Sequence, residues 1–156
     1  MPDPTAAIRC FVRDQKLFID QECGGVGIEI NDLPELFNQI PTLRMWTSRA
    51  DSARPELVSY CFNHGYPRMR SAKKGPGSIE DGITKIRGFK EIIVHPRCVM
   101  TIDELKSYKY KRNALTNEIL PIPEKKNDHF LDALRYSLEP LNKIRAKVGD
   151  KRIIGL

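Results

Sequence analysis

The chain has 156 residues, the length of one ordinary domain, and with 40% hydrophobic and 29% charged residues it can bury a core of its own. Its formal net charge of +6 and pI near 9.2 favour a polyanionic partner, because Lys and Arg gain affinity by releasing counterions from phosphates. No run approaches the roughly 20 apolar residues of a membrane span, and Met1-Pro2-Asp3-Pro4 opens neither a signal peptide nor a transit peptide, which sets aside membrane and export classes.

Ala6 to Arg13 and Lys16 to Glu22, rich in Ile, Val and Phe and joined by the polar pair Asp14-Gln15, read as an antiparallel hairpin. Apolar Ile30, Leu33, Leu36, Phe37 and Ile40 recur at helical spacing, with Pro34 placed in the first turn. Met45 to Ala50 reads as a short strand ending at Asp51. A helix over Arg54 to His64 is framed by Pro55 near its start and Gly65 just past its end. After a brief strand near Met69, Ser78 with Asp81 reads as a capping box opening a helix to about Phe89. Glu91 to His95 is the next strand, and Thr101 with Glu104 reads as the capping pair of a helix to Tyr108. A weak hairpin around Asn117 precedes a last helix from Asn127. Strands and helices alternating after a leading hairpin predict an α/β fold, a single domain whose mixed sheet is flanked by helices.

Cys10, Cys23, Cys61 and Cys98 are widely spread with no Cys-x-x-Cys pair, which predicts reduced thiols rather than a zinc site or disulfide framework. The chemistry concentrates in the last helix. Asp128 and Asp132 stand four residues apart and His129 and Asp132 three apart, spacings that share a helix face, while Phe130, Leu131, Leu134 and Leu138 form its apolar stripe. Asp51, between a strand and a helix start, reads either as a helix cap or as a catalytic group at a strand end. Magnesium takes hard oxygen ligands gathered from separate elements, so a second acidic cluster strengthens the catalytic reading. His129 orients or binds a metal, or is a polar residue of the first helical turn. Lys73-Lys74-Gly75-Pro76-Gly77-Ser78 sets two cations and flexible backbone before a helix start, which suits a phosphate. The Gly-x-x-x-x-Gly-Lys-Ser/Thr pattern of a P-loop does not occur in the sequence.

Taken in order, Arg49-Ala50-Asp51-Ser52-Ala53-Arg54-Pro55-Glu56, Ala72-Lys73-Lys74-Gly75-Pro76-Gly77-Ser78-Ile79-Glu80-Asp81-Gly82-Ile83, Ile93-Val94-His95-Pro96 and His129-x-x-Asp132-Ala133-x-Arg135-Tyr136 resemble the carboxy-terminal nuclease domain of tailed-phage terminase large subunits. The resemblance runs from about Asp3 to Leu138. It implies a ribonuclease H-like fold over residues 1–140, while Lys143, Arg145, Lys147, Lys151 and Arg152, among sparse apolar positions, read 141–156 as a basic carboxy-terminal extension. It also implies a metal-dependent endonuclease that cuts concatemeric phage DNA during packaging, in the cytoplasm of a bacterial host. Asp51, Asp132 and His129 match catalytic positions of the family. Asp51, Asp132 and Asp128 are the expected ligands of two Mg²⁺ or Mn²⁺ ions. Lys73, Lys74 and Arg54 are the expected contacts to double-stranded DNA, and an ATPase domain, a small subunit and a portal are the partners in a full terminase.

One departure accompanies the resemblance. The family carries a further aspartate on its first strand, upstream of the stretch that is Asp3-Pro4-Thr5-Ala6 here, so the sheet is expected to fall short of part of that strand. A split gene product, an excised domain or a prophage remnant would have this form. The rival expectation is therefore a catalytically impaired DNA- or partner-binding module on the same fold. A relative of junction resolvases or transposases is a further alternative.

Overall fold

The computed structural model describes residues 3–124 and 127–141, so all but the first residue of the expected basic extension lies outside the described residues. The hairpin forms as expected, from β1 (Thr5–Arg13) and β2 (Lys16–Gly25). Its two turn residues, Asp14 and Gln15, take left-handed backbone with φ of 52° and 62°, the conformation that matches a two-residue turn to the twist of its strands. A bulge interrupts the register between Arg9 and Cys10. A second sheet pairs β3 (Ser48–Ala50) with β4 (Met69–Ser71) in parallel. β5 (Glu91–Val94) adds in parallel to β2, giving a mixed sheet in the order β1-β2-β5. β6 (Tyr110–Arg112) with β7 (Ile119–Pro123) forms a separate hairpin.

Among the described residues five α-helices accompany the strands: α1 (Leu33–Phe37), α2 (Pro55–Asn63), α3 (Ser78–Arg87), α4 (Val99–Ser107) and α5 (His129–Ser137). Pro55 occupies the first turn of α2, and Gly65, at φ 101°, stands just beyond its end, as the sequence predicts. Four local expectations are corrected. The Ile30–Ile40 helix shrinks to a 3₁₀ turn, Ile30–Asp32, followed by the short α1, because Pro34 has no N–H to bond back to Ile30. The Met45–Ala50 strand begins only at Ser48, since Leu43–Met45 closes a 3₁₀ turn through a Met45 N–H to Thr42 carbonyl bond. Ser78 is the first residue of α3 and not its cap. That position belongs to Gly77, whose φ of 77° suits a residue without a side chain. Thr101 lies inside α4, which starts two residues earlier, and Glu104 reaches a different helix.

The apolar side chains settle into two clusters. One gathers Leu33, Leu36, Phe37, Ile40, Cys61 and Tyr66 under the second sheet, and the other packs Leu17 and Ile19 of β2 against Leu131, Leu134 and Leu138. Cys23, Cys61 and Cys98 are buried, Cys10 is half-buried, and all four are free. Burial pushes the Cys23 thiol up to about 12, with the neighbouring Glu22 charge adding to the shift.

Between the sheets lies a cavity of about 880 Å³. Residues 3–11 along β1 and 46–51 along β3 all line it, without alternation. A strand turning one face to a cavity would contribute every second residue, so consecutive lining means that the cavity runs along hydrogen-bonding edges. Among the described residues β1 pairs only with β2 and β3 only with β4, and both therefore border the cavity with an open edge. α5 packs on both β1 and β3 and ties the two sheets across the gap.

Candidate active site

Two acidic residues distant in sequence meet at this cavity. Asp51 directly follows β3, Asp132 lies in the first turn of α5, and both line the cavity together with His129 and Tyr136. The cap reading of Asp51 does not hold, because the N-cap position of α2 belongs to Arg54. Instead Asp51 Oδ1 accepts the Ala53 N–H at 2.8 Å, closing a turn ahead of the helix, and also pairs with the Lys74 ammonium. Burial pushes the Asp51 carboxyl up, but Lys74 and the Ala53 N–H outweigh it, and with the charge of Arg135 they hold Asp51 below the usual carboxylate range.

Asp132 pairs with Arg135, three residues on along the same helix. The stem of Arg135 lies on Gly82 of α3 so closely that a Cβ added there would stand 2.7 Å from Arg135 Cδ. The Lys74 ammonium also sits 5.3 Å from the centroid of the Tyr136 ring. Burial lowers the Lys74 pKa, while Asp51 and Tyr136 raise it by more, so the group is firmly cationic. The loop before α3 is anchored through the Lys73 backbone N–H, which donates to Glu139 Oε2 at 2.9 Å. Lys73 and Lys74 are both exposed, Lys74 reaching the Asp51 carboxylate, and Arg54, on the cavity wall, pairs with Glu56 at 2.9 Å.

The structure thus brings together Asp51, His129, Asp132, Lys74 and Arg54. Asp128 does not line the cavity. It precedes α5, its carbonyl accepts the Asp132 N–H at 2.7 Å, and burial, followed by the charge of Asp132, pushes its carboxyl up. The sequence reading missed Arg9 and Asp20, which form a two-pronged pair on the cavity wall, with Nε to Oδ1 at 3.0 Å and Nη2 to Oδ2 at 2.6 Å. The signal was available: counting back from the Asp14-Gln15 turn sets Arg9 opposite Asp20, and the bulge shifts the pair by only one place.

Carboxylate oxygens are the donors that Mg²⁺ or Mn²⁺ prefers, so in kind the residues fit a hard divalent ion. In number they fall short of a closed cage. Among the described residues no group of three His, Cys, Asp or Glu side chains is arranged to hold a metal ion, and Asp51 and Asp132 are each held by a cation. Such an open arrangement leaves positions for substrate oxygens and water.

Residues 30–140 match a family model described as the terminase RNase H-like domain. The PBSX phage terminase large subunit of Bacillus subtilis (strain 168) is 35% identical over 94 residues, which are 58% of this chain and 21% of that protein. The terminase large subunit of Bacillus phage SPP1 is 32% identical over 92 residues, again 58% of this chain and 22% of that protein. The chain thus matches about a fifth of the length of these curated relatives. Among solved structures, the nuclease domain of the SPP1 large terminase with bound Mn superposes with a TM-score of 0.81 at 24% identity, covering 89% of this chain and 80% of that one. The large terminase of a thermophilic bacteriophage in complex with ADP gives a TM-score of 0.58 at 18% identity, covering 87% of this chain and 39% of that one. The ribonuclease H-like fold implied by the resemblance is therefore the fold of the chain.

Proposed function

The chain belongs to the terminase RNase H-like domain family, and on that premise we propose that it is a divalent-metal-dependent endonuclease acting on double-stranded DNA. The observation that carries this reading is the convergence of Asp51 and Asp132, from separate elements, on one cavity that also receives His129. Asp51 and Asp132 would hold Mg²⁺ or Mn²⁺, with phosphate and water oxygens filling the remaining positions. The chemistry a bound divalent ion supplies is activation of water and neutralisation of charge at the leaving 3′ oxygen. Two ions are the full complement of this reading. His129, one turn before Asp132 on α5, faces the same space and is placed to orient a carboxylate or accept a proton. Arg54 on the cavity wall, Lys74 beside Asp51 and the adjoining Lys73 supply positive charge and would grip phosphates without reading bases. In the packaging of concatemeric phage DNA this activity works beside an ATPase domain, a small subunit and a portal, in the cytoplasm of a bacterial host.

The plasmid assay tests the reading directly. Supercoiled plasmid is incubated with the purified chain in Mn²⁺, Mg²⁺ or EDTA, beside Asp51→Asn and Asp132→Asn. Cutting that needs the metal and is abolished by either substitution is the expected result. A specific observation favours a second reading: Lys74 and Arg135 already engage the two carboxylates, as in a domain that binds DNA or a partner without cutting. Failure of the folded chain to cut, with DNA binding that is indifferent to metal, would establish that reading instead. Charge reversal at Lys73 and Lys74 should lower DNA affinity and flatten its salt dependence in either case.

A further inference from the structure

Neither α4 nor α5 is capped by its own N-cap residue: Cys98 and Asp128 make no side-chain capping bond. The first N–H groups of a helix have no partner within it, and buried ones require an acceptor from elsewhere. For α5 that acceptor comes from α4. Glu104 Oε2 takes the Phe130 N–H at 2.8 Å and the Leu131 N–H at 3.0 Å. For α4 it comes from β2. Glu22 takes the Met100 N–H through Oε1 at 2.9 Å, and through Oε2 the Thr101 N–H at 2.9 Å and hydroxyl at 2.7 Å. Two carboxylates thus form a relay from the central strand of the mixed sheet, through α4, to the first turn of α5. Glu104 is 8% exposed and Thr101 fully buried, so water does not stand in for either acceptor.

The two amides held by Glu104 lie between His129 and Asp132 in sequence, two of the residues that α5 carries into the cavity. A second contact ties the same turn to the same strand: a Cβ at Gly24 of β2 would stand 2.9 Å from the Phe130 ring. With its first turn held by the cap and by the ring, α5 can neither rotate about its axis nor slide along it without breaking one of them.

We propose that Glu104, itself set by Glu22 through α4, is a positioning residue that fixes the rotation of α5 so that His129 and Asp132 face the cavity beside Asp51. The proposal rests on the reading of that cavity as a metal site. Its competitor is a purely structural role, in which loss of Glu104 costs stability and nothing else.

The test compares Glu104→Gln, which keeps an acceptor oxygen at the same reach, with Glu104→Asp, which keeps the charge but is one methylene shorter, and with Glu104→Leu. Mn²⁺ affinity by calorimetry, hydrogen exchange of α5 and thermal melting are read on the full chain, with Leu138→Ala as a control for general destabilisation beside the same helix. The expected result is near-native behaviour for Gln. Asp and Leu should lose protection in the first turn of α5 while keeping it in the β1–β2 hairpin, and should weaken Mn²⁺ binding about tenfold or more, as supporting residues around metal ligands do. Should Leu fail to fold, the contrast between Gln and Asp carries the test. Native Mn²⁺ affinity in Glu104→Asp, under conditions where Asp132→Asn lowers it, overturns the proposal, as does a loss no larger than that of an equally destabilised Leu138→Ala. If Asp132→Asn leaves Mn²⁺ binding untouched, the metal-site reading fails. In that event exchange decides the helix setting: lost protection in Asp with retained protection in Gln supports it, and unchanged protection in both overturns it.

Discussion

Replacing Gly82 by Ala sets two opposing effects against each other at the contact between α3 and α5. Glycine inside a helix is about 0.8–1.0 kcal/mol less favourable than alanine, so propensity alone predicts that Gly82→Ala stabilises the chain. The packing says otherwise. A Cβ at this position would stand 2.7 Å from Arg135 Cδ, 2.8 Å from Cγ and 3.2 Å from Cβ. These are atoms of the stem, near the helix backbone, and the Arg135 side chain is only 10% exposed with its guanidinium on Asp132. The stem cannot yield like the free end of a flexible chain, so α3 must part from α5 or Arg135 must leave Asp132. Forcing a methyl group into a tight contact costs about 1–3 kcal/mol. Set against the propensity gain, the net expectation is a loss of about 1 kcal/mol, or about 2–4 °C in Tm for a domain of this size. Thermal melting by circular dichroism measures it, with Gly75→Ala as the control, since a Cβ there meets nothing within 4 Å. A Tm raised by several degrees in Gly82→Ala would refute the argument, because it would mean that the Arg135 stem swings aside freely and propensity decides.

Three further outcomes follow from the same contacts. Gly24→Ala should be far worse than Gly82→Ala, because its Cβ would meet the Thr5 carbonyl oxygen and the Phe130 ring. Soluble, cooperatively melting Gly24→Ala protein would contradict the placement of α5 on β2. Arg9→Met should cost about 0.2–1 kcal/mol at pH 7 by urea denaturation, the range for a partly exposed ion pair. Asp20 is held below its ordinary range chiefly by its bonds to Arg9, against burial. A depressed carboxylate stabilises the fold above its unfolded pKa, about 3.9, and loses that contribution as pH falls through the folded value. The difference between wild type and Arg9→Met should therefore shrink as pH falls below the unfolded carboxylate value of about 3.9, and a constant difference from about pH 7 to pH 2 would argue against the pair. Lys74→Met removes the cation that competes for Asp51, so Mn²⁺ binding to the DNA-free chain should tighten by up to about fivefold, the equivalent of about 1 kcal/mol. Weaker Mn²⁺ binding in this variant would mean that Lys74 supports the metal site rather than competing with it.

Local pattern by itself determined much of this protein. The two-residue turn gave the β1–β2 hairpin, Pro55 and Gly65 framed α2, and the apolar stripe of Phe130, Leu131 and Leu134 marked the buried face of α5. These are signals carried by neighbours a few residues apart, within the reach of one turn or one helical period. Asp51 and Asp132, which the resemblance implies as members of one site, both line one cavity. Misreadings occurred where a local rule met a distant competitor. Thr101 and Glu104 have the spacing of a capping pair, yet Thr101 bonds Glu22 and Glu104 caps another helix 26 residues away. The contact of Lys74 with Asp51 and the Tyr136 ring, too, has no counterpart in local spacing. Only the tertiary structure decided which carboxylates face the cavity, which cations hold them, and that two open strand edges border it. Hydrogen bonds and ion pairs act over about 3 Å whatever the separation along the chain, so pairings of this kind leave no period in the sequence to be read.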